Sequence, residues 1–235
     1  MRDNVIIFDG VQTDEFSTFI TNAGVYESPQ PEYERVEIEG RNGDLLLEKG
    51  KYSNVTVKYP AVIYKDFVKN YMKLRSFMLS RNGYKRLEDS FNPDKFRIGR
   101  FTDKITPKYP YDLSMGAFEL NFYCKPQWFL KSGEEAIEIR EETELMNPTL
   151  FTSLPKYRVY GSGTFSVNDV TVTVNEGATN YVDIDCDIMD SYEGQINRNG
   201  IVIREGGWPV LKDGVNHIIV NGIEKLELYP RWFTL

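Results

Sequence analysis

Short alternating segments separated by tight-turn dipeptides constrain this chain more than any other feature. VTVTV at Val170–Val174 and YVDIDCDI at Tyr181–Ile188 have strand periodicity, and Gly, Asn or Asp bounds both. Side chains on a strand alternate between faces, so one face can be buried while the other stays in solvent. The same reading covers Asn4–Phe8, Tyr33–Glu39, Ser53–Tyr59, Lys95–Thr102 and Gly116–Cys124. It continues through Tyr157–Gly161, Gln195–Asn197, Ile201–Glu205, Asn216–Val220 and Lys225–Tyr229. Asn42-Gly43, Asn199-Gly200, Asp213-Gly214 and Asn221-Gly222 supply the positive-φ residues that tight hairpin connections need. Many short strands with no βαβ rhythm predict β-sandwich architecture and exclude a nucleotide-binding α/β fold.

One segment breaks this pattern. Between Ala61 and Leu79, the residues Ile63, Phe67, Tyr71, Leu74 and Met78 recur at helical spacing, which predicts an amphipathic helix of about five turns. Lys65, Lys69, Lys73 and Arg75 fall away from that stripe. Pro60 stands just before the expected start, where its missing N–H costs nothing, and Asn82-Gly83 supplies the stop.

Charge divides the chain in two. Residues 1–133 hold 20 Lys+Arg and 18 Asp+Glu, whereas residues 134–235 hold 8 and 17. A shift from +2 to −9 predicts two domains, 1–133 and 134–235, with the Glu-rich run Glu134–Glu144 as a solvated linker or edge strand. The total of −7 opposes nucleic-acid binding, which needs a basic footprint. No apolar run reaches the ~18–20 residues of a membrane span, and MRDNVIIFDG has no signal-peptide core. The expectation is therefore a soluble protein with no secretory leader.

Few groups are available for chemistry. His217 is the only histidine, and Cys124 and Cys186 are the only cysteines, too few for a Cys/His zinc site. Both thiols are expected to be reduced and buried. Asp183, Asp185 and Asp187 share a strand face, but same-face neighbours lie about 7 Å apart, too far for three carboxylates to hold one ion. A solvated outer face opposite Val182, Ile184, Cys186 and Ile188 accounts for them better. His217 reads as a surface residue at a strand end. There is no G-x-S-x-G elbow, no Walker pattern and no G-x-G-x-x-G loop, and no acidic pair stands out for glycoside hydrolysis. The reading is a protein without catalytic, cofactor-binding or metal residues. Trp128, Trp208 and Trp232, with 15 Tyr and 14 Phe, leave one binding alternative, a stacking platform for sugar; core and interface packing is their commoner use.

Several segments, taken in order, resemble the distal tail protein family of long flexible-tailed phages infecting Gram-positive bacteria. RNGDLLLEKGKYSNVTVKYPAVI (Arg41–Ile63) resembles the family's strand pair before a helix, around Arg41, Asn42 and Gly43. RSFMLSRNGYKRLEDSFNPDKFRIGRF (Arg75–Phe101) follows, with Tyr84, Leu87 and Asp89 implied to fix the turn after the helix. LNFYCKPQWFLKSG (Leu120–Gly133) is similar to the close of the family's first domain, with Cys124, Lys125 and Pro126 ending its sheet. NPTLFTSLPKYRVYGSG, VDIDCD, WPVLKDGVNHIIVNG and LELYPRWFTL complete the second domain, where Asp213-Gly214 is implied to be a hairpin turn.

The resemblance implies a structural hub of the tail tip or baseplate. Its first domain would be a β-sandwich with one helix and an extended hairpin, its second a galectin-like sandwich. Six copies would form a homohexameric ring joining the tail tube protein to the tail-associated lysin or tail fibre and supporting host adsorption. The protein would be made in the host cytoplasm and reside in the virion. Direct attachment of receptor-binding proteins is less expected, since the chain has no insertion long enough for an added arm. Two rivals compete with this reading: a carbohydrate-binding module recognising host cell-wall glycan, and a glycan-cleaving enzyme.

Overall fold

The computed structural model describes residues 4–24, 27–108 and 114–235. The chain forms two units, Met1–Trp128 with Leu235, and Phe129–Thr234. The sequence-based boundary was 133/134.

The first unit contains β1 (Ile6–Phe8), β2 (Val11–Gln12), β3 (Thr18–Ile20), β4 (Pro31–Val36) and β5 (Leu45–Tyr52). After these come β6 (Val55–Ile63), α1 (Phe67–Ser80), β7 (Lys85–Asp89), β8 (Lys95–Phe101) and β9 (Gly116–Cys124). Seven of the strands make an antiparallel sheet in the order β2-β1-β7-β8-β9-β6-β3. Its longest ladder runs from Val55↔Cys124 to Ile63↔Gly116. Alternation on β6 sends Val55, Val57, Tyr59, Ala61 and Ile63 inward, and on β9 it sends Phe118, Leu120, Phe122 and Cys124 to the same core. The helix adds Phe67, Leu74 and Met78, each fully buried, and burial of such side chains stabilises by ~1.5–3 kcal/mol apiece. Gly116 is the contact point. A Cβ there would stand 2.4 Å from the Phe67 ring, so the helix can seat only over a bare backbone.

The helix is shorter than its periodicity predicts. Ala61 and Ile63 belong to β6, and Pro60 lies inside that strand rather than at the helix start. Thr21 donates its backbone N–H to the Pro60 carbonyl at 2.9 Å, just past the end of β3. The ring nitrogen has no hydrogen to return, so this pair keeps one of its two hydrogen bonds, at the point where the β3 ladder ends. Ile63 and Phe67 keep a four-residue spacing across a strand-to-helix junction. That spacing fits both readings.

The strand β10 (Trp128–Leu130) crosses the unit boundary in sequence. The second unit continues with β11 (Ile137–Ile139), β12 (Thr143–Asn147), β13 (Lys156–Tyr160), β14 (Gly163–Val167), β15 (Val170–Val174) and β16 (Val182–Asp185). Then follow β17 (Asp190–Glu193), β18 (Ile196–Asn197), β19 (Val202–Glu205), β20 (Gly214–Asn221), β21 (Lys225–Tyr229) and β22 (Phe233–Thr234). Two antiparallel sheets result, β11-β21-β13-β16-β17-β18 and β12-β20-β14-β15-β19. Tyr157, Val159, Ile184, Leu226 and Leu228 of the first meet Phe165, Val167, Val172, Val174 and Ile218 of the second in one core. The Glu-rich run supplies β11 and β12, the strands that open the two sheet orders. The mainly β architecture with two sandwich domains and one helix is thus the observed fold class.

Candidate functional site

The residues that stand out for interaction lie on a projecting ribbon. β4 and β5 form a two-stranded sheet of their own, with Val36↔Leu45, Arg35↔Leu46 and Glu34↔Leu47 in register. All eight residues of β5 are exposed, and Leu46 keeps 55% of its surface in solvent. Leu45 and Leu47 share one face, across from Val36 and Glu34, while Leu46 points to the other. Gly40 and Gly43 adopt φ of +77° and +85° in the connecting turn, and added Cβ atoms there would meet nothing within 4 Å. These glycines serve backbone conformation rather than space. Arg41 and Asn42 are exposed at the tip. An isolated two-stranded ribbon is marginal in water, and three exposed leucines on it are an apolar surface lacking cover.

The other expected site residues belong to the framework. Tyr84 lies between α1 and β7, where its hydroxyl accepts a 2.7 Å hydrogen bond from Asn54 Nδ2. Leu87 is buried on β7. Asp89 is buried at the end of that strand, accepting the Tyr59 hydroxyl at 2.9 Å and the backbone N–H groups of Phe91 and Asn92 at 3.0 Å. It therefore holds the turn between β7 and β8, not the one after the helix. Burial, with the Asp89 carboxylate beside it, pushes the Tyr59 hydroxyl well above its ordinary value.

Cys124 is the last residue of β9 and is fully buried, its thiol pushed up to about 12 by burial. Opposite it stands Gly99, where a Cβ would meet Sγ at 2.8 Å. Lys125 donates its backbone N–H to the Ile98 carbonyl at 2.8 Å, and the Pro126 carbonyl lies 3.5 Å from Arg97 Nη1. Cys186 is likewise a free buried thiol.

Asp213-Gly214 does not connect neighbouring strands of a hairpin. It leads into β20, with Gly214 at φ +77°. Asn216 builds the turn, accepting the Lys212 N–H at 2.8 Å and donating back to the Lys212 carbonyl at 2.9 Å. Asn216 is fully buried, and sequence reasoning missed it because a single Asn within a strand carries no local signal.

The aspartates of β16 also depart from expectation. Asp183 and Asp185 are buried rather than solvated. Arg158 grips Asp183 through two hydrogen bonds of 2.7 and 2.8 Å, and Arg231 grips Asp185 through two of 2.7 Å. Burial raises the Asp185 carboxyl, but the Arg231 guanidinium more than offsets this and holds it below the usual carboxylate range. Asp187 and Ile188 are the exposed members of the run. Among the described residues, no three His, Cys, Asp or Glu side chains are grouped to hold a metal ion. His217 is exposed on β20, 3.5 Å from the equally exposed Glu144.

The aromatics are largely engaged. Trp232 is buried in the second core, while Arg97 stacks over Trp128 and Arg204 over Trp208, both at 4.0 Å from the ring centre. The expected hairpin around Asp103–Tyr111 can be followed only to Lys108, which bridges Ala117; its remaining residues, from 109 on, lie outside the described residues.

Neither a protein-family model nor a curated protein matches this chain. Solved structures do. The chain is similar to the SPP1 Dit protein, described as a paradigm of the hub adsorption apparatus in phages infecting Gram-positive bacteria. That match has a TM-score of 0.77 and 15% identity over 100% of both chains. It is also similar to a chain of the phage P2 baseplate in its activated conformation, with calcium and again with strontium. Each of these has a TM-score of 0.56 and 10% identity over 97% of both chains. At such identities the likeness establishes the fold.

Proposed function

We propose that this chain is a distal tail protein, a structural hub of a phage tail tip or baseplate. Six copies form a ring that joins the tail tube protein to the tail-associated lysin or fibre and supports host adsorption. The observation that carries this reading is the match to a hub adsorption protein over the full length of both chains. The likeness covers both units and the ribbon between β3 and β6, which favours this reading over a chance match of one domain. In this reading the ribbon's tip, Arg41, Asn42 and Gly43, would reach the neighbouring subunit, while Tyr84, Leu87, Asp89, Cys124, Lys125 and Pro126 would serve the framework of the first unit. The role is structural rather than catalytic. Its site of action is the virion tail tip after synthesis in the host cytoplasm.

Native mass measurement tests the ring. The expected species is a hexamer of about 160 kDa, six times the 27.2 kDa chain. A chain that stays monomeric at high concentration with tail tube protein present overturns the proposal.

A further inference from the structure

Asn42-Gly43, Asn82-Gly83, Asn199-Gly200 and Asn221-Gly222 share one dipeptide, and the fold treats them differently. An asparagine before glycine is open to attack on its own side chain, because no Cβ hinders the glycine nitrogen as it approaches the asparagine Cγ. The attack requires a side chain free to turn and a backbone free to bend toward it, and both freedoms are set by local stability.

Three of the four are restrained. Asn199 is exposed, yet its Nδ2 donates to Asp190 Oδ1 at 2.6 Å and its Oδ1 accepts the Ser191 N–H at 3.0 Å. Its backbone opens a short 3-10 turn, Asn199–Ile201. Asn221 is the last residue of β20 and pairs with Thr164 of β14, and a Cβ on Gly222 would lie 3.7 Å from Gly163 Cα. Asn82 is exposed between two tethers: the Arg81 N–H donates to the Met78 carbonyl at 3.4 Å, and the Tyr84 hydroxyl is held by Asn54. Asn42 has neither restraint. It is exposed and makes no hydrogen bond among the described residues. Gly43 stands at φ +85° with nothing within 4 Å of an added Cβ. The connection around them joins β4 to β5, which pair only with each other, and such a ribbon is of marginal stability.

We infer that Asn42 is a site of spontaneous deamidation, with water as the co-reactant. The Gly43 nitrogen gives up its proton and bonds to Asn42 Cγ, closing a succinimide ring as the Cγ–Nδ2 bond breaks and ammonia leaves. Water then adds to either ring carbonyl and breaks that carbon's bond to nitrogen. One opening leaves an aspartyl residue, the other an isoaspartyl link whose main chain runs through Cβ. Asparagine and water become a carboxyl and ammonia, with no change of oxidation state. Either product sets a new carboxylate beside Arg41 and Asp44. The isoaspartyl form also adds a carbon to the main chain of the turn that fixes the β4–β5 register. The ribbon tip therefore carries a slow, one-way change of charge and shape, and this inference does not rest on the ring.

The test holds dilute full-length chain in mildly alkaline buffer and follows all four dipeptides by mass-spectrometric peptide mapping. A glutamate-specific protease, used at acidic pH to suppress further reaction, releases Gly40–Glu48, in which Asn42 is the sole side-chain amide. That peptide should gain about 1 Da and accept methyl groups from an isoaspartyl methyltransferase. Its conversion should be at least about fivefold faster than that of the peptides holding Asn199 or Asn221, with Asn82 in between. In denaturant the four rates should converge. Asn42→Gln should abolish the mass gain, because closure would then need a larger ring. Asp190→Ala, which releases Asn199 Nδ2, should speed conversion at Asn199 and leave Asn42 unchanged. Equal rates in the folded chain, Asn82 converting ahead of Asn42, or an Asn42 as inert as Asn199 would overturn the assignment. Rates that stay apart in denaturant, or an Asn199 still inert in Asp190→Ala, would overturn the restraint argument on which it stands.

Discussion

The two units manage their surfaces in opposite ways. The first is nearly neutral in charge, yet it leaves Leu45, Leu46 and Leu47 of the ribbon and Val68, Met72 and Leu79 of α1 exposed to solvent. The second is strongly acidic, yet its most demanding charges are tucked away: Asp183 and Asp185 lie buried under bidentate arginines, and Glu193 is clasped by Arg198 at 2.5 and 3.0 Å. An apolar surface without cover points outward to a partner, whereas a buried, satisfied ion pair points inward to the fold. On that difference, the proposed assembly is expected to rest on the first unit, and the second is expected to be self-sufficient. Acidic domains also repel one another when closely apposed, although the repulsion is screened beyond ~8 Å at physiological salt.

The largest effect follows directly. Residues 1–128, expressed alone, should assemble to six times their own mass, while residues 129–235 should remain monomeric at the same concentration. Analytical ultracentrifugation of the two fragments reads this out. An oligomeric second unit beside a monomeric first would reverse the assignment of roles.

Next in size is Asp185→Ala. It leaves the half-buried Arg231 guanidinium without its partner, and orphaning such a group costs about 1–3 kcal/mol. Chemical denaturation should show the loss in the second unit's transition alone. A loss in the first unit's transition would mean the two do not fold independently. In the first unit the comparable change is steric: Gly116→Leu drives a side chain into the Phe67 ring and should cost about 1–3 kcal/mol through displaced helix packing. By contrast, Leu46→Ser on the ribbon should leave unfolding of the isolated chain within about 0.5 kcal/mol, because that side chain touches little in its own fold.

What the sequence made legible follows the same division between local and distant causes. Gly116–Cys124, Val170–Val174 and Lys225–Tyr229 were readable to the residue, because alternation and flanking turn residues are local signals. The helix was overextended because Ile63 satisfies a helical spacing while pairing with Gly116 in a ladder. The β16 aspartates were misread because their partners, Arg158 and Arg231, are 25 and 46 residues away, and alternation says which residues share a face without saying what covers it. Asp213-Gly214 carried the turn signal, but Asn216, which holds that turn, did not. On the candidate site, the strand pair around Asn42-Gly43 was legible only through the family resemblance, because Leu45, Leu46 and Leu47 do not alternate, and the exposed Val68, Met72 and Leu79 of α1 were hidden behind the stronger stripe that faces the core.

The smallest effect concerns acid. Arg231 holds the Asp185 carboxyl below its ordinary range in the fold, and the Arg198 hydrogen bonds do the same for Glu193. A carboxyl whose folded value is depressed contributes stability above its unfolded value, about 3.9 for Asp and 4.3 for Glu, and loses it as pH falls toward the folded value. In the first unit, Asp103 is also depressed, by the Asn121 amide and the Lys104 backbone N–H, but it is exposed and coupled to little of the core. Tyr59 there is raised instead, a shift whose stabilising effect is lost only as pH rises above about 10. Between pH 5 and pH 3 the second unit's denaturation midpoint should therefore fall further than the first's. Asp185→Asn, which cannot titrate, should lower stability at pH 7 and flatten that dependence. Parallel acid sensitivity of the two units, or an unchanged slope in Asp185→Asn, would show that the arginine-paired carboxylates do not distinguish them.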